Sequence, residues 1–153
     1  MNDQPPFDIQ GLDHLVIRCV DLEVMKAFYC GVLGCTVDRH NKEFGLFQVR
    51  AGAHLIDLIP IDGKLGSKGG PAPGDDGLNL DHFAIRIEPF NEPELRAYLE
   101  HHNIEIVEAG LRYGAEGTGP SIYMLDPEGN TVEIKGPPDP ALSRNPSGRT
   151  HHG

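Results

Sequence analysis

One stretch of this chain occurs twice. Gly11-Leu12-Asp13-His14-Leu15-Val16-Ile17-Arg18 returns 68 residues later as Asn79-Leu80-Asp81-His82-Phe83-Ala84-Ile85-Arg86, and most positions are identical or similarly apolar. An internal repeat constrains architecture strongly, because it implies one supersecondary unit built twice. Here it also constrains chemistry. Each copy sets one His at the head of an apolar run, and two symmetry-related imidazoles can converge on one point between the copies.

The segments around the repeats follow one order. His14 to Val20 reads as a strand buried on both faces or nearly so. Asp21 caps a helix carrying Leu22, Met25, Phe28 and Tyr29, which Gly31 and Gly34 stop. Cys35 to Arg39, Phe44 to Val49 and His54 to Ile61 read as strands. The second copy repeats this: strand Leu80 to Ile87, helix Glu92 to His102, then strands Ile104 to Glu108, Ser121 to Leu125 and Thr131 to Lys135. The last two meet across the turn Asp126-Pro127-Glu128-Gly129-Asn130. The expected fold is therefore α+β, two βαβββ modules. Residues 9–62 and 78–136 form the modules of one domain, and the Gly/Pro-rich stretch 63–77 is a flexible link. Residues 1–8 read as a loose arm and 137–153 as a polar tail, in which His151 and His152 are a weak metal-binding candidate.

With 153 residues the chain can bury one sizeable core, whereas either half alone would be marginal. A formal net charge of −10 repels phosphate backbones and argues against nucleic acid as a partner. No apolar run approaches membrane-spanning length, and the N-terminus lacks the pattern of a secretory leader. Cys19, Cys30 and Cys35 are odd in number and lack CxxC spacing, which suits reduced thiols. The expectation is a cytoplasmic protein.

Four residues carry the candidate chemistry. His14 and His82 open the first strand of each module; Asp57 and Glu133 lie in the last. Both carboxylates interrupt apolar runs (Leu55-Ile56-Asp57-Leu58-Ile59 and Thr131-Val132-Glu133-Ile134-Lys135), and a charge inside such a run is costly unless paired or bound to metal. A lone strand His is ordinarily hydrogen-bonded structure. Two at equivalent repeat positions, each with a carboxylate in the closing strand, point instead to one divalent transition metal. Mixed nitrogen and oxygen donors leave positions open for water or substrate, and they fit Zn, Ni, Mn, Co or Fe alike. Asp57 is the shorter carboxylate, so it is either a ligand or a base beside the metal. His54, three residues before Asp57, falls on the opposite strand face. Arg18 and Arg86 share a face with the histidines and meet either an anionic substrate or neighbouring acids.

The pattern Leu-Asp-His plus apolar run, Phe28-Tyr29 with Leu33-Gly34, and Leu125-Asp126-Pro127-Glu128-Gly129-Asn130 followed by Glu133 resembles the vicinal oxygen chelate superfamily. That superfamily includes glyoxalase I, fosfomycin-resistance and bleomycin-resistance proteins, methylmalonyl-CoA epimerase and extradiol dioxygenases. The stretch from Arg112 to Tyr123 looks most like its uncharacterised glyoxalase-domain members. The resemblance implies a curved, mixed-sheet half-barrel around one central metal held by His14, His82 and Glu133, with Asp57 in the fourth place. Ser121-Ile122-Tyr123 looks like the fosfomycin-resistance segment whose Tyr touches substrate, so Tyr123 is a candidate hydrogen-bond donor to a developing oxyanion.

The function so implied is a metal-dependent lyase or isomerase of the glyoxalase type. It would take a small substrate through two neighbouring oxygens, with Glu133 or Asp57 moving the proton. The substrate would be an anionic compound or a thiol adduct. The Gly-rich link and the loop from Gly114 to Pro120 are candidates to close over the site. The resemblance also implies a homodimer. The rival readings are a metal-free sequestering protein of the bleomycin-resistance kind, a ring-cleaving dioxygenase, and a thiol transferase.

Overall fold

The computed structural model describes residues 3–143; the paired histidines of the tail lie outside them. The first module runs β1 (His14–Cys19), α1 (Leu22–Lys26), β2 (Thr36–Asn41), β3 (Leu46–Ala51) and β4 (His54–Pro60). The second runs β5 (Phe83–Arg86), α2 (Glu92–His101), β6 (Ile106–Gly114), β7 (Gly117–Leu125) and β8 (Thr131–Lys135), and is followed by a short α3 (Pro140–Ser143). The expected α+β class and its two βαβββ modules are present. Each module forms an open four-stranded sheet, in the orders β1-β4-β3-β2 and β5-β8-β7-β6. In each, the first strand runs parallel to the last and the remaining pairs are antiparallel. Neither sheet closes on itself, which matches a half-barrel.

Local signals start both helices. The Asp21 side chain accepts the Val24 N–H at 3.2 Å and the Asn91 side chain accepts the Glu94 N–H at 3.1 Å. Beyond Lys26 the first helix widens into a π-helical segment, Ala27–Val32, in which the Leu33 N–H reaches back to the Phe28 carbonyl. Adjacent Phe28 and Tyr29 are both buried there, edge to face at 4.9 Å.

Strand alternation then sorts the faces. Ile17 and Cys19 of β1, Ile56 and Leu58 of β4 and Val49 of β3 enter the core with Met25 and Tyr29. Ile122, Met124, Val132 and Ile134 do so from the second module, with Leu99 of α2. The opposite sheet faces are left for the polar residues. β1 is thus one-sided rather than buried on both faces as its composition predicts: Val16 is 48% exposed.

A polar network locks the modules together. Tyr29 Oη donates to Asp126 Oδ2 at 2.7 Å, and Asp126 also accepts the Glu128 and Asn130 N–H groups and Asn130 Nδ2. Asn79 bonds both the N–H and the carbonyl of Arg18 and donates to Asn130 Oδ1. The Glu128 carboxylate accepts the N–H groups of Val20 and Asp21. The Asp-Pro-Glu-Gly-Asn turn is therefore an interlock between modules as well as a hairpin turn.

Two expectations about loops change. The Arg18 guanidinium donates to the carbonyls of Gly66, Gly69, Gly70 and Pro71, fastening the linker to β1. Glycine there permits close approach: a Cβ on Gly66 would stand 1.9 Å from the Pro60 carbonyl oxygen, and one on Gly69 would stand 2.4 Å from Arg18 Nε. The Gly114 to Pro120 segment is not a free loop. It forms the tip of a regular hairpin in which Gly114 pairs with Gly117 and Leu111 with Pro120.

Candidate metal centre

His14 heads β1, and β1 lies parallel to β4, so its ring reaches Asp57 from the neighbouring strand: Nε2 stands 3.8 Å from Asp57 Oδ2. His82 immediately precedes β5, and its Nε2 stands 3.4 Å from Glu133 Oε1 on β8. Two donor atoms bound to one cation, each about 2.0–2.2 Å from it, stand roughly 3–3.5 Å apart. The second pair has that spacing and the first is slightly wider.

The outer hydrogen bonds match between modules. Asp13 holds His14 Nδ1 at 2.7 Å, and Asp81 holds His82 Nδ1 at 2.6 Å. Both rings therefore present Nε2 to the carboxylate. The far oxygens of the carboxylates are also held. Gln48 Nε2 donates to Asp57 Oδ1 at 3.1 Å, and Ser121 Oγ donates to Glu133 Oε2 at 2.5 Å. Asp57 and Glu133 are both buried, whereas His14 is exposed. The hydrogen bond that the His14 ring donates to Asp13 raises the His14 pKa, and the Asp57 charge adds to it.

The four candidates thus stand as two pairs. Among the described residues, no three His, Cys, Asp or Glu side chains gather into one group able to hold a metal ion. No strand of one sheet is hydrogen-bonded to the other sheet. The donor chemistry fits a divalent transition metal, since each pair offers one imidazole and one carboxylate with ordered outer partners. Each supplies two of the three or four protein donors such an ion takes.

Tyr123 lies beside the second pair, opposite Glu133 in the β7–β8 register. Its ring meets His82 edge to face at 5.5 Å, and the Arg112 guanidinium lies 5.4 Å from the ring centre. Burial pushes its phenol up to about 12, and a hydrogen bond with Glu133 adds to the rise while Arg112 opposes it. His54 is exposed at the start of β4, whereas Asp57 is buried. Arg86 pairs with Glu116 at 2.7 Å and Glu88 at 3.0 Å, while Arg18 serves the linker.

Sequence reasoning did not single out Asp13, Asp81, Gln48, Ser121 or Arg112. The two aspartates were legible, since Leu-Asp-His stands in both copies. Gln48 had no such signal: it faces Asp57 only through the β3–β4 register.

A family model for the Glyoxalase/Bleomycin resistance protein/Dioxygenase superfamily matches residues 11–134. The chain is 31% identical over 134 residues to the glyoxalase domain-containing protein RDO1 of Mycosarcoma maydis, covering 86% of this chain and 70% of that one. It is 32% identical over 130 residues to the virulence protein STM3117 of Salmonella typhimurium strain LT2, covering 82% and 83%. The crystal structure of that protein superposes with a TM-score of 0.70, covering 85% of this chain and 98% of that one. A lactoylglutathione lyase from Agrobacterium tumefaciens shares the fold, with a TM-score of 0.62 at 21% identity over 87% of this chain and 96% of that one.

Proposed function

Because the chain belongs to the glyoxalase/bleomycin resistance protein/dioxygenase superfamily, we propose that it is a divalent-metal-dependent enzyme of the glyoxalase type, a lyase or isomerase acting on a small substrate through two neighbouring oxygens. The observation that carries the proposal is the doubled His–carboxylate pair. The same local arrangement is built in both modules, down to the aspartate behind each ring and the donor behind each carboxylate. Such an arrangement orients imidazole nitrogen and carboxylate oxygen toward one point and costs folding energy unless a cation uses it.

His14, Asp57, His82 and Glu133 would hold the ion. Within one chain the pairs are separate, and the Asp126 and Asn79 network resists hinging of one module toward the other. The complete site therefore forms between two copies, each giving one pair, and the protein acts as a homodimer. When bound, the cation supplies Lewis-acid stabilisation of negative charge on the substrate oxygens. Asp57 is the shorter acid and its pair is the wider, so it is the freer carboxylate and the base that takes a proton from substrate carbon. Glu133 stays fixed by Ser121. The Tyr123 hydroxyl, kept protonated at neutral pH, donates to the developing oxyanion.

The test is metal analysis of full-length protein purified without chelator, together with its mass in solution. The expected result is a dimer carrying a stoichiometric transition metal, which turns over one class in a panel of hemithioacetals, epoxides and catechols. Oxygen uptake with catechols would move the assignment to a dioxygenase. A metal-free protein that binds an apolar ligand tightly would replace the enzyme with a sequestering protein.

A further inference from the structure

Beyond Glu133, the same face of the second sheet carries cations. The register places them row by row: Tyr123 opposite Glu133, then Ser121 opposite Lys135 with Arg86 alongside, then Arg112 opposite Gly119. Residues two apart on a strand share a face, so Lys135 and Arg112 stand on the face of Glu133 and Tyr123.

Lys135 is the anomaly. It is only 9% exposed, its ammonium donates to the carbonyls of Arg112 and Gly119, and no ion pair among the described residues includes it. Arg112 pairs with Glu108, yet its Nε is buried without a hydrogen-bond partner among the described residues. Two glycines of β6 make room for these cations. A Cβ on Gly114 would stand 2.5 Å from Lys135 Cε, and one on Gly110 would stand 2.7 Å from Arg112 Nη1. Burying an ammonium in no direct ion pair carries a desolvation cost that a methionine of similar volume would avoid.

We infer that this face is an oxyanion subsite, in which Lys135, backed by Arg112, receives a carboxylate or phosphoryl group of the substrate whose reacting end lies at His82 and Glu133. The placement of the reacting end rests on the metal-site reading; the binding of the anion does not. One residue pair along a strand spans roughly 6.5–7 Å. The substrate class is therefore a short bifunctional compound, its anionic group a few bonds from the reacting oxygens.

The experiment titrates the full chain, freed of metal by chelator, with inorganic phosphate and with succinate, read by calorimetry and amide NMR shifts. The subsite requires saturable binding of at least one anion, with shifts at Lys135, Arg112 and Gly119. Tighter phosphate marks a phosphoryl ligand and tighter succinate a carboxylate. Lys135→Met should weaken binding about tenfold or more, the worth of one charged hydrogen bond. Gly114→Ala, which displaces the lysine stem without removing its charge, should weaken it less. If Lys135→Met fails to fold by circular dichroism, Lys135→Gln and Gly114→Ala decide. Absence of saturation with both anions, or affinities unchanged in the folded variants, overturns the subsite. Metal uptake without anion binding removes the subsite alone; anion binding without metal uptake leaves the subsite and removes the metal reading.

Discussion

Tyr29, in the π-helical segment of the first module, donates its hydroxyl to Asp126 of the second at 2.7 Å, with both side chains buried. This contact ties the helix of one repeat to the hairpin turn of the other, and the Tyr29 ring also stacks on Phe83 at 6.5 Å. Tyr29→Phe keeps the ring packing and removes one donor from a buried carboxylate. Its expected cost is about 1–3 kcal/mol of unfolding free energy. Urea denaturation checks this, and Asp126→Ala, which orphans several donors, should cost more.

Alkaline pH should destabilise the fold. Burial pushes Cys19 up to about 12 and Cys35 up to about 11, and holds the Tyr29 phenol well above its ordinary range. In the unfolded chain these groups ionise near their ordinary values, so above those values the unfolded state binds fewer protons than the native one. The stability they contribute is whole below the unfolded pKa and is lost as pH rises toward the folded pKa. Denaturation midpoints should fall from about pH 9 upward. Labelling of the buried Cys19 and Cys35 thiols at neutral pH should be slow until denaturant is added, whereas half-buried Cys30 reacts sooner; rapid native labelling of Cys19 or Cys35 would contradict their burial.

The outer hydrogen bonds should matter to metal affinity. Ser121→Ala frees one Glu133 oxygen and Gln48→Leu frees one Asp57 oxygen, and each should weaken metal binding by about 10–100-fold. Competition with a chelating dye measures this without any substrate. Glu133→Ala should abolish binding. Asp57→Ala should retain part of it while losing turnover; full activity in that variant would remove Asp57 as base.

Arg18 should guard the linker. Arg18→Met removes the donor to four carbonyls between Gly66 and Pro71. Lys68 lies in the 3₁₀ turn Gly66–Gly69 that this guanidinium holds. Trypsin should therefore cut after Lys68 faster in the variant than in the parent, and amide exchange from residue 66 to 71 should rise. Equal cutting rates would mean that the linker is held by something else.

Tyr123→Phe tests the oxyanion donor. The variant keeps the edge contact with His82 and loses the hydroxyl. A fall of about 10²–10³-fold in kcat, with KM little changed, is the expected signature. A change in KM alone would make Tyr123 a binding residue.

Much of this protein was legible in one dimension. The helix cap at Asp21, strand alternation and the tandem Leu-Asp-His are local patterns, and local patterns follow from backbone sterics and side-chain periodicity. They determined the α+β class, the two modules, the superfamily and the four candidate ligands. Tertiary structure decided how those parts are used. Only strand register pairs His14 with Asp57 and His82 with Glu133, and only packing leaves the two pairs apart within one chain. Arg18 was expected to meet acids or an anion and instead holds linker carbonyls; the stretch around Gly114 was a candidate to close over the site and is a hairpin tip; Lys135 carried no signal and is a buried cation. The physical reason is the same for Arg18 and Lys135. Charge partners, burial and solvent exclusion are set by residues distant in sequence, and periodicity cannot report a contact whose other half lies tens of residues away.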